Sequence, residues 1–433
     1  MTREQAQALD AADLLAPLRE QFVLPKGLIY LDGNSLGVLP KTTAARVQQV
    51  VTQEWGEGLI RSWNSAGWID MPLRLGNKIA SLVGVGEGEL VVADSTSVNL
   101  FKVLSAALSM VKADAPGRKI ILSERSNFPT DLYIAQALAK EQGFELKLAE
   151  TDALPGLLNE QTAVLMLTHV NYRSGHMHDM AALTKAAHDA GALAIWDLAH
   201  SAGAVPVQLA QDGADFAIGC GYKYLNGGPG APAFVWAHPR HASRFWQPLA
   251  GWMGHAAPFA FTPGYQPAEG IARYLCGTPP VLSMAALECG VDTVLAAASL
   301  GGMNALRRKS LALTRLFAER VAATCPQLQL ISPQVDAQRG SQVCFAHDEI
   351  GYPVMQALIA RGVIGDFRAG EKSHTLGATD KSHRTSAMDI LRFGFTPLYL
   401  RFVDAWDAAE HLHAVLASGE WQRPEFNRRQ AVT

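Results

Sequence analysis

Asp197-Leu198-Ala199-His200-Ser201-Ala202-Gly203 closes one short apolar run of the chain, and Gly221-Tyr222-Lys223-Tyr224-Leu225 closes another. The runs before them, Ala192–Trp196 and Asp215–Ile218, have the length and composition of buried strands. A residue at the end of such a strand lies at the carboxyl edge of an open α/β sheet, where ligands bind. A carboxylate there can hold a pyridine nitrogen protonated, and a lysine amine can form an imine. Taken singly, Asp197 can also be read as a helix N-cap and Lys223 as a surface charge. Taken together, with the flanking glycines, they point to pyridoxal phosphate (PLP) carried on Lys223, with Asp197 facing its ring nitrogen.

The same alternation extends on both sides. Leu90–Ala93, Lys119–Leu122 and Ala163–Thr168 read as three more buried strands, separated by amphipathic stretches such as Asp131–Gln142 and Met180–Ala190. Gly191 stands where the second of these needs a C-cap. Strands rich in Val, Ile and Leu that alternate with helices predict a mainly parallel sheet covered on both faces. After about residue 290 the pattern changes to a long helix over 305–323, a strand over 342–346, and helices over 353–361 and 403–417. Three parts are therefore expected: an N-terminal segment (1–60) packing on the small domain, a large α/β domain (61–290), and a small α+β domain (291–433). The polar stretch 369–386 reads as a mobile loop, with His374 and His383 solvated.

Composition narrows the function. The chain has 433 residues, 48% of them hydrophobic, and a net charge of −3 without a long basic run, which argues against nucleic acid or an anionic membrane as partner. No apolar segment resembling a signal peptide opens it, and runs such as Ala163–Leu167 are too short to span a bilayer. Five cysteines lacking CxxC or metal-ligand spacing read as reduced thiols of a cytoplasmic protein, with no metal.

A PLP enzyme also needs a phosphate cradle. Asp94-Ser95-Thr96-Ser97-Val98-Asn99 lies between a strand and a helical stretch, and its hydroxyls and first helical N–H groups suit a phosphate; a plain helix cap fits the same residues. Asn127-Phe128-Pro129-Thr130-Asp131 follows the next strand, with Phe128 placed to stack on a pyridine ring or simply to enter a proline turn.

Together these stretches resemble kynureninase, a fold-type-I PLP enzyme of the class V aminotransferase superfamily. The resemblance runs from Leu31-Asp32-Gly33-Asn34-Ser35-Leu36-Gly37 to Arg392-Phe393-Gly394-Phe395-Thr396-Pro397-Leu398-Tyr399, and includes Tyr222–Gly230, Gly251-Trp252 and Gly277-Thr278-Pro279. It implies a large, mainly parallel seven-stranded sheet domain with a smaller α+β domain. It also implies a homodimer that hydrolyses L-kynurenine, and possibly 3-hydroxykynurenine, to the anthranilate and L-alanine. That reaction belongs to tryptophan and kynurenine metabolism, catabolic or leading towards NAD.

The roles the resemblance implies are as follows. Lys223 binds the cofactor and moves protons, Asp197 pairs with the ring nitrogen, and His200 lies close behind. Thr96, Ser97 and Tyr222 take the phosphate end, Phe128 stacks on the ring, and Pro129, Thr130, Asp131 and Thr168 line its edge. Tyr222 also serves as acid and base near the substrate carbonyl. Trp252 and Thr278 reach a cofactor across the dimer interface, and Arg392 clamps the substrate carboxylate. On residue type alone, the aromatic Trp63 and the small, polar Thr278 are candidates for contacting the substrate ring. For Arg392, an internal ion pair with an acid such as Asp366 is the competing expectation. The segment 369–389 is longer than the family's connection, as a lid or a passive loop. A cysteine desulfurase or an aminotransferase of the same superfamily is the rival function; Cys344, in a strand-like run, and Cys325, beside a proline, make poor loop nucleophiles.

Overall fold

All five apolar runs form strands of one seven-stranded sheet in the computed structural model, which describes residues 1–244, 247–370 and 388–428. Across the sheet the order is Leu90–Val92, Phe234–Ala237, Phe216–Gly219, Leu193–Asp197, Thr162–Thr168, Ile120–Glu124 and Glu145–Ala149. Only Phe234–Ala237 runs against its neighbours; every other strand points the same way. The sequence reading passed over two strands. Glu145–Ala149 is a half-exposed edge strand that mixes charge with apolar residues, and Phe234–Ala237 is a four-residue run behind a Gly- and Pro-rich loop.

Helix Thr96–Asp114 covers one face, burying Leu100, Val103, Leu104 and Ala107 in a cluster with Val91, Val164, Ile195 and Phe216. Helix Met180–Asp189 ends as expected: Gly191 takes φ +77°, and Ala192 donates back to the Ala187 carbonyl at 2.8 Å. The sheet and its helices belong to a unit made of Pro40–Tyr172 and Met177–Asp292. The chain therefore enters this unit at Pro40, some residues before the boundary expected near residue 60.

One apolar stretch was missed. Val281–Leu300 is long and apolar enough by composition to cross a membrane, so the expectation that no run reaches that length is corrected. Half of it is buried, and its Glu288 pairs with Lys78 at 3.0 Å and Arg74 at 3.5 Å. These are the properties of a core helix.

The second unit contains Met1–Leu39, Arg173–His176 and the chain from Thr293. Its four-stranded antiparallel sheet orders Asp366–Arg368, Asp389–Gly394, Gln342–His347 and Gln329–Leu330. Helices Gly302–Thr324 and Gly351–Ala360 pack on it, and helix Phe402–Ser418 packs against those two helices. The N-terminal helix Arg3–Ala11 is tied to the last of these, with Arg3 paired to Asp407 at 2.7 Å and Asp10 accepting from the Phe402 and Val403 N–H groups. The sequence-stretch 371–387, with His374, His383 and the question of a lid, lies outside the described residues.

The end of strand Ile120–Glu124 carries a buried charge with a measurable consequence. Burial alone would raise the Glu124 pKa. The His178 ring at 3.2 Å and bonds from Thr151 and Asn171 outweigh it and hold the carboxyl at about 2. A carboxylate depressed by folding adds stability above its unfolded pKa and loses it as the pH falls through the folded one. Stability should therefore drop by about 3 kcal/mol between pH ~4.5 and ~2 on this account, less the contribution of other carboxylates. Denaturant titrations of wild type and Glu124→Gln across that window check it: the variant should be less stable at neutral pH, with the difference shrinking towards pH 2.

Candidate active site

Three adjacent strand ends assemble the site. Strand Leu193–Asp197 ends on Asp197, whose Oδ1 accepts from the Ala199 N–H at 2.8 Å. In the neighbouring strand, Thr168 stands in register beside it. The Thr168 hydroxyl lies 2.5 Å from Asn127 Oδ1, 3.4 Å from Asp131 Oδ2 and 3.5 Å from Asp197 Oδ2. Beyond strand Phe216–Gly219 a tight loop carries Lys223, closed by Gly227 N–H to Gly221 carbonyl at 2.9 Å and Asn226 N–H to Lys223 carbonyl at 3.0 Å. A Cβ at Gly221 would stand 2.4 Å from the Pro232 carbonyl oxygen, so only glycine fits this approach. Lys223 Nζ reaches 3.0 Å from His200 Nε2, 5.7 Å from the Tyr222 ring centre and 6.0 Å from that of Phe128.

These side chains line one cavity. Thr96, Ser97, Phe128, Thr130, Asp131, Thr168, Asp197, His200, Tyr222 and Lys223 all border it. The reading missed Tyr172 and Ala199, which border it too. Tyr172 packs edge-on against Phe128 with ring centres 5.3 Å apart, and it follows Thr168 closely enough in sequence that the same strand edge pointed to it. Pro129 instead opens helix Pro129–Gln142, fixing the turn that aims Phe128 and Asp131.

Electrostatically the floor of the cavity is short of positive charge. Burial raises the Asp197 pKa, opposed first by Lys223. Burial also raises that of Asp131, and the neighbouring Asp197 charge pushes it further. Two buried carboxylates this close favour a cation between them, which a protonated pyridine supplies. Burial lifts the Tyr222 hydroxyl well above its ordinary value, so it stays protonated near neutrality. At the other end, Ser95 caps helix Thr96–Asp114 through Val98 N–H, and the Thr96 hydroxyl is buried without a partner among the described residues. An unmet hydroxyl beside a helix N-terminus suits a phosphate. The cavity thus fits PLP at both ends.

Three expected residues lie elsewhere in this unit. Trp63 and Trp252 meet each other edge-on, ring centres 5.8 Å apart, and Thr278 borders a different cavity with Asp94 and Cys276. Arg392 belongs to the other unit and is 1% exposed. Its Nη2 bonds Asp366 Oδ2 and, at 3.0 Å, Ser35 Oγ, while Arg368 holds Asp366 Oδ1 at 2.6 Å. The internal ion pair that competed with the carboxylate clamp is thus formed.

Several solved structures share this architecture. A cysteine desulfurase from Thermococcus onnurineus NA1 superposes with a TM-score of 0.77 at 19% identity, covering 93% of this chain and 98% of that one. A mutant of the enzyme C-DES with glycine covalently linked to its PLP cofactor gives 0.76 at 16% identity, covering 91% and 98%. At such identities the likeness shows the fold alone. The model of the kynureninase C-terminal domain matches residues 306–412. Kynureninase of Burkholderia pseudomallei (strain 1106a) is 56% identical over 100% of both chains, and that of Pseudomonas fluorescens is 55% identical, again over 100% of both. The chain belongs to the kynureninase family. Its cysteines agree with that placement over a desulfurase: Cys344 sits wholly buried in strand Gln342–His347, and Cys325 is buried at the end of helix Gly302–Thr324. Neither is placed as the exposed loop nucleophile that desulfurase chemistry needs.

Proposed function

We propose that this protein hydrolyses L-kynurenine to anthranilate and L-alanine with PLP held on Lys223. The observation that carries the reading is the cavity in which Lys223 and His200 face the buried Asp197 and Asp131, in a chain whose family is kynureninase. When bound, PLP supplies an electron sink for the charge that develops as the substrate's Cα–H and then its Cβ–Cγ bond break.

The residues do the rest. Lys223 would hold the cofactor and would move the proton taken from the substrate's Cα. Asp197 would hold the ring nitrogen protonated, and Phe128 would stack on the ring. Thr96 and Ser97 hold the phosphate through their hydroxyls and the helix N–H groups. Tyr222, kept protonated by burial, donates at the ketone oxygen as water adds to that carbon. The added oxygen stays with the aromatic fragment as one carboxylate oxygen of anthranilate, and Cβ leaves as the methyl of alanine once it gains a proton. Trp63 is assigned to the substrate ring. Steady-state kinetics on L-kynurenine and 3-hydroxy-L-kynurenine, following anthranilate release with and without added PLP, tests the reading. PLP-dependent product from at least one of them is expected; none from either overturns it.

Arg392 is proposed to meet the substrate α-carboxylate while Asp366 fixes one edge of its guanidinium. Arg392→Lys keeps the charge and loses the planar fork. It should lower kcat/KM about 10- to 1000-fold, mostly through KM, with PLP absorbance unchanged. A variant with normal kinetics and a Tm many degrees lower would reduce Arg392 to a structural partner of Asp366.

The active unit is proposed to be a cytoplasmic homodimer in which Trp252 and Thr278 serve the partner's cofactor. Phe259 and Phe261, beside Trp252, are 58% and 74% exposed, an apolar patch that a second copy would cover. Mixing inactive Lys223→Ala and impaired Trp252→Ala dimers under exchange conditions should restore one site per mixed dimer, roughly a quarter of wild-type activity in a fully exchanged equimolar mixture, since one of the mixed dimer's two sites is intact in both residues. Demonstrated exchange without any recovery would place both residues in one subunit's site.

A further inference from the structure

Lys102 is an ammonium group in the hydrophobic core. It lies within helix Thr96–Asp114 beside Val103 and Leu104, and its side chain is 0% exposed. Its partners are Asp94, through a short ion pair with Oδ2, and the Tyr274 carbonyl oxygen at 2.6 Å. A buried ion pair of this kind gains little stability over an apolar side chain of similar size, because desolvation offsets the attraction. Its use is to be sought in what it fixes.

What it fixes is a bend. Asp94 follows strand Leu90–Val92 and takes φ +48°, the left-handed region that a residue with a Cβ seldom adopts. Directly after it come the cap Ser95 and the cavity-lining Thr96 and Ser97. The backbone on either side is pinned to strand Phe234–Ala237 and its approach: Ala93 N–H donates to the Ala233 carbonyl at 2.9 Å, and Ala233 N–H to the Asp94 carbonyl at 2.8 Å. Asn99 donates to the Ala93 carbonyl at 2.8 Å. The Asp94 side chain is then anchored two turns further down the same helix by Lys102. The pair thus ties the bend to the axis of the helix whose N-terminus faces the cavity.

We propose that the Lys102–Asp94 ion pair is a positioning device for the cofactor phosphate, holding the strand-to-helix bend in the conformation that presents Thr96, Ser97 and the first helical N–H groups. Neither residue borders the cavity around Lys223; they act through the cradle. The proposal rests on the reading of that cradle as the phosphate site.

The test measures PLP affinity on reconstituted apoprotein, by absorbance titration, for wild type, Lys102→Met, Asp94→Asn and the double variant, with the Tm of each apoprotein alongside. Each single variant should weaken PLP binding about tenfold or more, as loss of a supporting contact does. The double variant should be no weaker than either single one, because all three lose the same pair. The added PLP should raise the variants' Tm less than it raises the wild type's. PLP affinities equal to wild type, with only the apoprotein Tm lowered, would make the pair a core contact and overturn the proposal; so would losses that simply add. Should Lys102→Met fail to fold, Asp94→Asn, whose side chain is part-exposed and tolerates the left-handed region, decides the matter by the same criterion. A wild type that took up no PLP would instead sink the reading of the cavity, which the wild-type titration reveals by itself.

Discussion

Lys223→Ala should abolish turnover, by a factor on the order of a million, the scale on which enzymes lose a covalent catalytic group. No other described lysine borders the cavity. The two carboxylates at its floor need a cation that Lys223 provides in the free protein, and without it both would rise further towards the protonated form. The variant should lose the visible absorbance of lysine-bound PLP yet still bind the cofactor weakly through Thr96, Ser97 and Asp197. Added amines should restore little, since the proton carrier is lost together with the anchor. Normal rates with an unchanged spectrum would remove Lys223 from the chemistry.

Asp197→Asn should have a smaller though still large effect, of a different character. The amide keeps an acceptor for the Ala199 N–H, so the strand end is preserved. It cannot hold the ring nitrogen protonated, and the loss of that electrostatic support should cost roughly 1000-fold in kcat, about 4 kcal/mol. The apoprotein should respond in the opposite direction. Asp131 and Asp197 both have folded pKa values raised by burial, so each ionised form costs stability above the unfolded carboxylate pKa, and the cost grows as the pH rises towards the folded value. Removing one charge relieves the other. Apo Asp197→Asn should therefore be at least as stable as wild-type apoprotein at neutral pH, by thermal denaturation, while its holoenzyme is nearly inactive. Full activity in this variant would detach Asp197 from the ring nitrogen.

The sheet was legible where a strand is buried on both faces, as in Thr162–Thr168, because such strands appear as unbroken apolar runs. Glu145–Ala149 was not, since an edge strand carries polar residues that break the run, and Phe234–Ala237 was hidden by its shortness. Asp197 and Lys223 were legible because each ends such a run. The partner of Arg392 was open to two readings because a lone cation in an apolar strand declares only that some anion faces it. Strand pairing supplied one: Asp366 stands directly across from Arg392 in the antiparallel ladder, and neighbours across a sheet are set by register between segments far apart in sequence. Tyr172 lies in a loop beyond the strand end and carries no periodic pattern, so its nearness to Thr168 was the one signal for it.

The central claim, that a cofactor on Lys223 drives hydrolytic cleavage between Cβ and Cγ, is tested most directly by product stoichiometry in oxygen-labelled water. Purified holoenzyme incubated with L-kynurenine should yield anthranilate and L-alanine in equal amounts, with solvent oxygen in the anthranilate carboxylate and no product from Lys223→Ala. Formation of a 2-oxo acid with the aromatic side chain intact, and no anthranilate, would contradict it.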